Sequence, residues 1–247
     1  MNLTLLGTGS AVPTGDRYQT GLVVEADSRS TPLLIDCGAG TLHRLAQAGF
    51  DITCFDTILL THHHLDHVAD LPSLLKARWL QDASTCTIVG PPDTREYLSG
   101  FLNIDQLLER LDVTVRENDL SQFTLCGFDI ETCETIHSAA GFAYRIDGEF
   151  TFSGDTEASE SVARFADGSS VLVHDCAYYD EEDTNHATPH ELGQTLADVD
   201  IDELYLTHFY PDAAANADAM RRIVSEYVTA TVHIPADLET IQIQSSE

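Results

Sequence analysis

The sequence predicts an α/β fold, a four-layer αββα sandwich, from three observations. Short apolar or alternating runs recur along the chain, helical periodicities sit between them, and the second half repeats the strand-and-helix style of the first. With 247 residues, 43% of them hydrophobic, the chain can bury one large core, so residues 1–247 read as a single domain.

The runs at 2–6 (NLTLL), 21–26 (GLVVEA), 32–36 (PLLID), 56–60 (DTILL) and 86–90 (CTIVG) read as strands. Helical spacing marks 40–49, where Leu42, Leu45 and Ala46 share a face and Gly49 suits the stop, and 72–80, with Leu74, Leu75 and Leu80. Segments 123–137 and 141–156 read as antiparallel strands, and 171–176, 203–208 and 229–234 as later strands with helices between them. In TPHEL, Thr188 suits an N-cap, Pro189 the first helical position and Glu191 a capping box, with Leu192, Leu196 and Val199 as the apolar face.

Composition bounds the function. Twelve basic against 41 acidic residues give a net charge of −29, and Lys76 is the sole lysine. Such a surface repels phosphate backbones and argues against bulk affinity for nucleic acid. It suits a cytoplasm at molar salt, where the Debye length falls to about 3 Å. Residues 1–7 lack the charged and apolar regions of an export signal, and nowhere do about 18 uncharged apolar residues run together. The expectation is a cytoplasmic protein without membrane contact. The six cysteines form no C-x-x-C pair and read as free thiols.

The stretch THHHLDHVADL (61–71) packs four histidines and an aspartate into positions 62–67, directly after a strand. A turn there can aim His62 and His64 at one point while His63 faces away, with Asp66 and His67 where a helix begins. A carboxylate among imidazoles favours zinc, manganese or iron over calcium or magnesium. A lone histidine is usually structural, but this density is hard to explain as surface decoration. His137, Asp155 and His208 each stand at the exit of an apolar run, where α/β sites are built. Each alone has a bland reading as an edge or turn residue; together with the cluster they do not.

These blocks resemble the metallo-β-lactamase fold superfamily and, within it, the ribonuclease Z-like branch. HHHLDH fits the signature H-x-H-x-D-H, and LLGTGSAVPT (5–14), LLIDCGAGT (33–41), IHS (136–138), FSGDT (152–156), VLVHDCA (171–177), HAT (186–188) and LTHF (206–209) follow in the branch's order. The resemblance implies two divalent transition metals, zinc before manganese or iron. His62, His64 and His137 would hold one, Asp66, His67 and His208 the other, and Asp155 would bridge them. It further implies a metal-bridging hydroxide as nucleophile, catalytic roles for Asp66 and His186, and a homodimer. His186 looks like the histidine that assists the leaving group, and Asp175 or Asp36 could orient a histidine through its ring N–H. His190 reads as a helix-surface residue rather than a site residue, and His43 and His233 look unremarkable.

Two departures bear on substrate. An aspartate at 155, where zinc β-lactamases of the best-known type carry cysteine, shifts the expectation to phosphoesters. The branch's tRNA enzymes carry a long insertion between the residues matching His137 and Asp155, which here are 18 positions apart, and 91–122 has no basic tract. The reading is therefore a phosphodiesterase acting on small substrates. A ribonuclease Z-type endonuclease, signalled by a groove lined by Arg17 or Arg145, and an ester, thioester, lactone or aryl sulfate hydrolase are the alternatives.

Overall fold

The computed structural model describes residues 1–26, 29, 31–103, 107–119, 122–180 and 185–243. One seven-stranded sheet takes β1 (Asn2–Gly7), β2 (Gly21–Glu25), β3 (Leu33–Ile35), β4 (Thr57–Leu59), β5 (Thr85–Gly90) and β6 (Asp112–Glu117) side by side in chain order. The other takes β7 (Phe123–Leu125), β8 (Phe128–Glu134), β9 (Phe142–Ile146), β10 (Phe150–Phe152), β11 (Ser169–Asp175), β12 (Ile201–Thr207) and β13 (Thr231–His233). The chain then returns to the first sheet, where β14 (Thr240–Gln242) pairs with β1.

Both sheets follow one plan. Antiparallel pairing runs through β1, β2 and β3 and again through β7 to β10. Parallel pairing runs through β3 to β6 and β10 to β13. Parallel neighbours end at the same sheet edge, so the loops after β3, β4, β10, β11 and β12 gather there.

The period-two alternation of strands sorts side chains into layers. Leu22, Val24, Leu33, Ile35 and Leu59 face inward against Phe128, Ile130, Tyr144, Phe150 and Val173 of the other sheet. The alternate residues Val23, Leu34 and Ile58 face outward onto Leu45, Leu71, Leu74 and Leu98 of the helices Thr41–Gln47, Leu71–Trp79 and Thr94–Leu102. Leu172, Leu204 and Leu206 do the same against Leu192, Met220 and Val224 of Pro189–Thr195 and Ala217–Ser225. The result is the four-layer αββα sandwich.

Local readings needed correction in three places. In Leu71–Trp79 the buried stripe is Leu71, Leu74, Leu75 and Arg78, the i, i+3, i+4, i+7 pattern, while Leu80 lies half a revolution from Leu71 and is 66% exposed. Arg78 is tolerated inside because its guanidinium bonds the carbonyls of Ile52, Thr53 and Thr85. In Thr41–Gln47 the buried pair is Thr41 and Leu45, which turns Ala46 to solvent. The Thr188 hydroxyl makes no bond to the helix backbone and instead donates to the Glu191 carboxylate at 2.7 Å, so the capping box is not formed. The edge strands β6 and β14 had no counterpart in the sequence reading.

Candidate metal centre and active site

β4 ends at Leu59, and Leu60 is still pinned to the neighbouring strand through Val89 O. Beyond it, the Thr61 N–H donates to Asp36 Oδ1 at 2.8 Å and Phe142 N–H donates to Thr61 O at 3.1 Å, fastening the turn to both sheets. His62 and His64 then point to one place, while His63 turns aside to pair its Nε2 with Thr94 Oγ1 at 2.8 Å and to stack on Tyr97. The short helix Leu65–Val68 presents Asp66 and His67, both buried. Its carbonyls run close to the loop after β3: Cys37 N–H donates to His67 O, and a side chain at Gly38 would start 2.0 Å from Asp66 O.

The second sheet supplies the rest. His137 follows β8, Asp155 follows β10 beyond the left-handed Gly154 (φ 58), Asp175 ends β11, and His208 follows β12 with φ 65. His208 is held by Thr20 Oγ1 at 3.3 Å from Nδ1. All seven sequence-predicted ligands converge. Donor atoms of His62, His64, His137 and Asp155 form one group within 4.8 Å, and those of Asp66, His67, Asp155 and His208 form a second. Asp155 belongs to both groups, with its oxygens 3.2 Å from His67 Nε2, 3.2 Å from His208 Nε2, 3.6 Å from His62 Nε2 and 3.8 Å from His137 Nε2.

The donor set fits divalent cations. His137 donates Nδ1–H to Asn185 O at 2.8 Å, which leaves a lone pair on Nε2, and that atom lies 3.0 Å from His64 Nδ1. Two imidazole nitrogens face to face need a proton or a metal between them. The Nε2 atoms of His62 and His67 are buried without a hydrogen-bond partner, an arrangement that costs free energy unless a cation is there.

Electrostatics agree with this. Burial would raise the Asp155 carboxyl, but His208, His67 and His62 outweigh it and hold the group well below the usual carboxylate range. Burial and the neighbouring His67 push His62 well down, toward the neutral form a metal needs; burial does the same for His64 and His137. For His67 burial is opposed and overcome by Asp155 and Asp36, so its pKa rises.

His186 lies beside the cluster, stacked on His208 and edge-on to His137. Its Nδ1 is 2.7 Å from Asp175 Oδ2, the orienting contact expected of a strand-end carboxylate. Burial opposes the charged ring, but Asp175, Asp155 and Asp66 prevail and push its pKa up to about 9. His190 is exposed near Tyr227, His43 is exposed, and His233 stacks on Tyr205, all away from the cluster. Sequence reasoning missed Thr61, Thr20 and Asn185, and also Tyr178 and Tyr210, whose rings stack 4.6 Å apart at the edge of His186. A threonine or tyrosine at a strand end carries no signal of its own. Among the described residues no helix is long and apolar enough to cross a membrane.

The family model of the anti-Pycsar protein Apyc1 matches residues 1–229. The chain belongs to this family. Ribonuclease Z of Mycobacterium avium is 28% identical, with 99% of each chain covered. The metallo-β-lactamase fold protein YhfI from Bacillus subtilis superposes with TM-score 0.84 at 22% identity, covering 97% of this chain and 98% of its own. Human tRNase Z, short form, gives 0.79 at 21% identity, covering 99% and 100%. The fold is that of the metallo-β-lactamases in the ribonuclease Z-like branch, and the chain is a metal-dependent hydrolase.

Proposed function

We propose that the chain is a dinuclear phosphodiesterase for small substrates. The observation that carries this reading is the seven-residue cluster around Asp155 with the Asp175–His186 pair beside it. His62, His64 and His137 would hold one ion, Asp66, His67 and His208 the other, and Asp155 would serve both, with zinc the first choice for this donor set. When bound, two such cations acidify water to hydroxide near neutral pH and stabilise charge developing on the phosphoryl oxygens.

The chain's own residues supply orientation and a proton. Asp155 and Asp66 place anionic charge among the imidazoles, which favours cations there. Asp175 fixes the His186 ring and keeps it protonated, so that Nε2 can donate to the departing oxygen, a contribution typically worth roughly 10²- to 10⁴-fold. An acyl ester with a stable leaving group has little use for that proton.

Likeness to a ribonuclease Z favours RNA as a second reading. Against it stand the charge of −29 and the short interval from His137 to Asp155, which holds only the β9–β10 hairpin. The two arginines that could have lined a groove are turned to other work. Arg17 bonds Pro235 O and lies over Phe209, and Arg145 bonds the carbonyls of Gly148 and Phe165.

Hydrolysis of bis-p-nitrophenyl phosphate, p-nitrophenyl acetate and a precursor tRNA by the zinc-loaded protein separates the readings. The phosphodiester should be the best substrate. Preference for the acetate would establish an acyl hydrolase, and cleavage of the precursor at its 3′ end would establish a ribonuclease.

A further inference from the structure

We infer that Asp36 and Thr61 form one hydrogen-bonded relay that sets His62 and His67 together, so that a positioning pair outside the ligand set governs both halves of the metal centre. The inference rests on the proposed dinuclear centre and names what orients it.

Proton accounting gives the relay its direction. The Thr61 hydroxyl donates to Asp36 Oδ2 at 2.7 Å. Its single proton is thereby spent, so the oxygen can only accept from a second neighbour. That neighbour is His62 Nδ1 at 3.1 Å, which must carry the hydrogen. His67 Nδ1, 2.8 Å from the same Asp36 Oδ2 and 3.4 Å from Thr61 Oγ1, must carry one as well. Both rings therefore carry a hydrogen on Nδ1, and both turn Nε2 inward as the nitrogen that would meet a cation. Both nitrogens are buried without a hydrogen-bond partner, on rings only 2% and 0% exposed. His62 belongs to one donor group and His67 to the other, so a single carboxylate reaches both.

The carboxylate itself is rigidly placed. Asp36 is fully buried, holds a left-handed backbone (φ 57), donates its N–H to Leu59 O at 2.9 Å and accepts the Thr61 N–H on its other oxygen. Thr61 also acts by shape. Its Cβ and Cγ2 lie 3.1 and 3.2 Å from where a side chain at Gly154 would begin, directly before Asp155. A valine at 61 keeps that methyl contact and removes only the relay.

The test is zinc competition with a chromophoric chelator on the full chain, for wild type, Thr61→Val, Thr61→Ser, Asp36→Asn and the Thr61→Val/Asp36→Asn double variant. Partners that orient metal-bound histidines typically account for about 10- to 100-fold in affinity. Thr61→Val should weaken both stepwise zinc affinities by that order, while Thr61→Ser retains them. The double variant should be no weaker than Asp36→Asn alone, because Thr61 acts through Asp36. In proton–nitrogen spectra of the zinc-loaded chain, Thr61→Val should move the Nδ1–H signal of His62 further than that of His67. Unchanged affinities in Thr61→Val, a Thr61→Ser as weak as Thr61→Val, or additive losses would overturn the relay. If Asp36→Asn does not fold, the valine and serine variants decide alone. A wild type that takes up no zinc would sink the metal centre itself, an outcome distinct from failure of the relay.

Discussion

His186 Nδ1 and Asp175 Oδ2 stand 2.7 Å apart at the margin of the histidine cluster. Asp175 ends β11 and also accepts the Thr156 N–H at 3.2 Å on the same oxygen, so the carboxylate is tied to the loop that carries Asp155. The pair makes His186 separable from the residues proposed to hold metal.

His186→Ala should keep its metals and lose roughly 10²- to 10⁴-fold in rate on an alkyl phosphodiester, whose leaving group needs a proton. The loss on a p-nitrophenyl diester should be much smaller. Steady-state rates with both substrates, beside metal analysis, check this; equal losses would make His186 a phosphate-binding residue, and lost metal would place it among the ligands.

The same pair predicts a pH dependence in chelator-treated protein. The His186 pKa, about 9, lies above its ordinary value near 6.5, so the pair's contribution to stability is fully present below about pH 6.5 and fades as pH rises through 9. Asp175→Asn should therefore lower the melting temperature at pH 6 and have much less effect at pH 10. A penalty of equal size at both values would remove the ion pair as its cause.

Asp155 contacts both donor groups, so Asp155→Ala should strip both metals at once. Elemental analysis should find close to two ions per wild-type chain and far fewer in the variant. One ion in the wild type, or two retained in the variant, contradicts a shared carboxylate.

Gly38 allows the Asp66–His67 turn to pass at a distance no side chain permits, since a Cβ would lie 2.0 Å from Asp66 O. Gly38→Ala should cost on the order of 1–3 kcal/mol by overpacking and should weaken zinc binding together with stability. Chemical denaturation and chelator competition measure the two effects, and a neutral substitution would show that the turn yields.

With a net charge of −29, self-repulsion should be relieved by salt. Melting temperature should climb substantially from dilute buffer to molar potassium chloride. A flat or falling profile would detach the acidic surface from a high-salt environment.

The sequence by itself determined the layers and the chemistry. Period-two runs told which residues face a sheet, strand exits told where polar residues would collect, and the density of histidine around Asp66 announced a cation centre before any distance was known. These signals are local: each is carried by neighbours within one element. What only the tertiary structure decided was partnership across elements. Arg78 takes the buried place expected of Leu80 because carbonyls from Ile52, Thr53 and Thr85 surround it, and no local pattern encodes those partners. Thr61 reads as an ordinary residue just past a strand until Asp36, 25 positions earlier, and His67 close around its hydroxyl. The direction of a hydrogen bond depends on how every other proton nearby is spent, and that is settled only when distant strands meet at one edge.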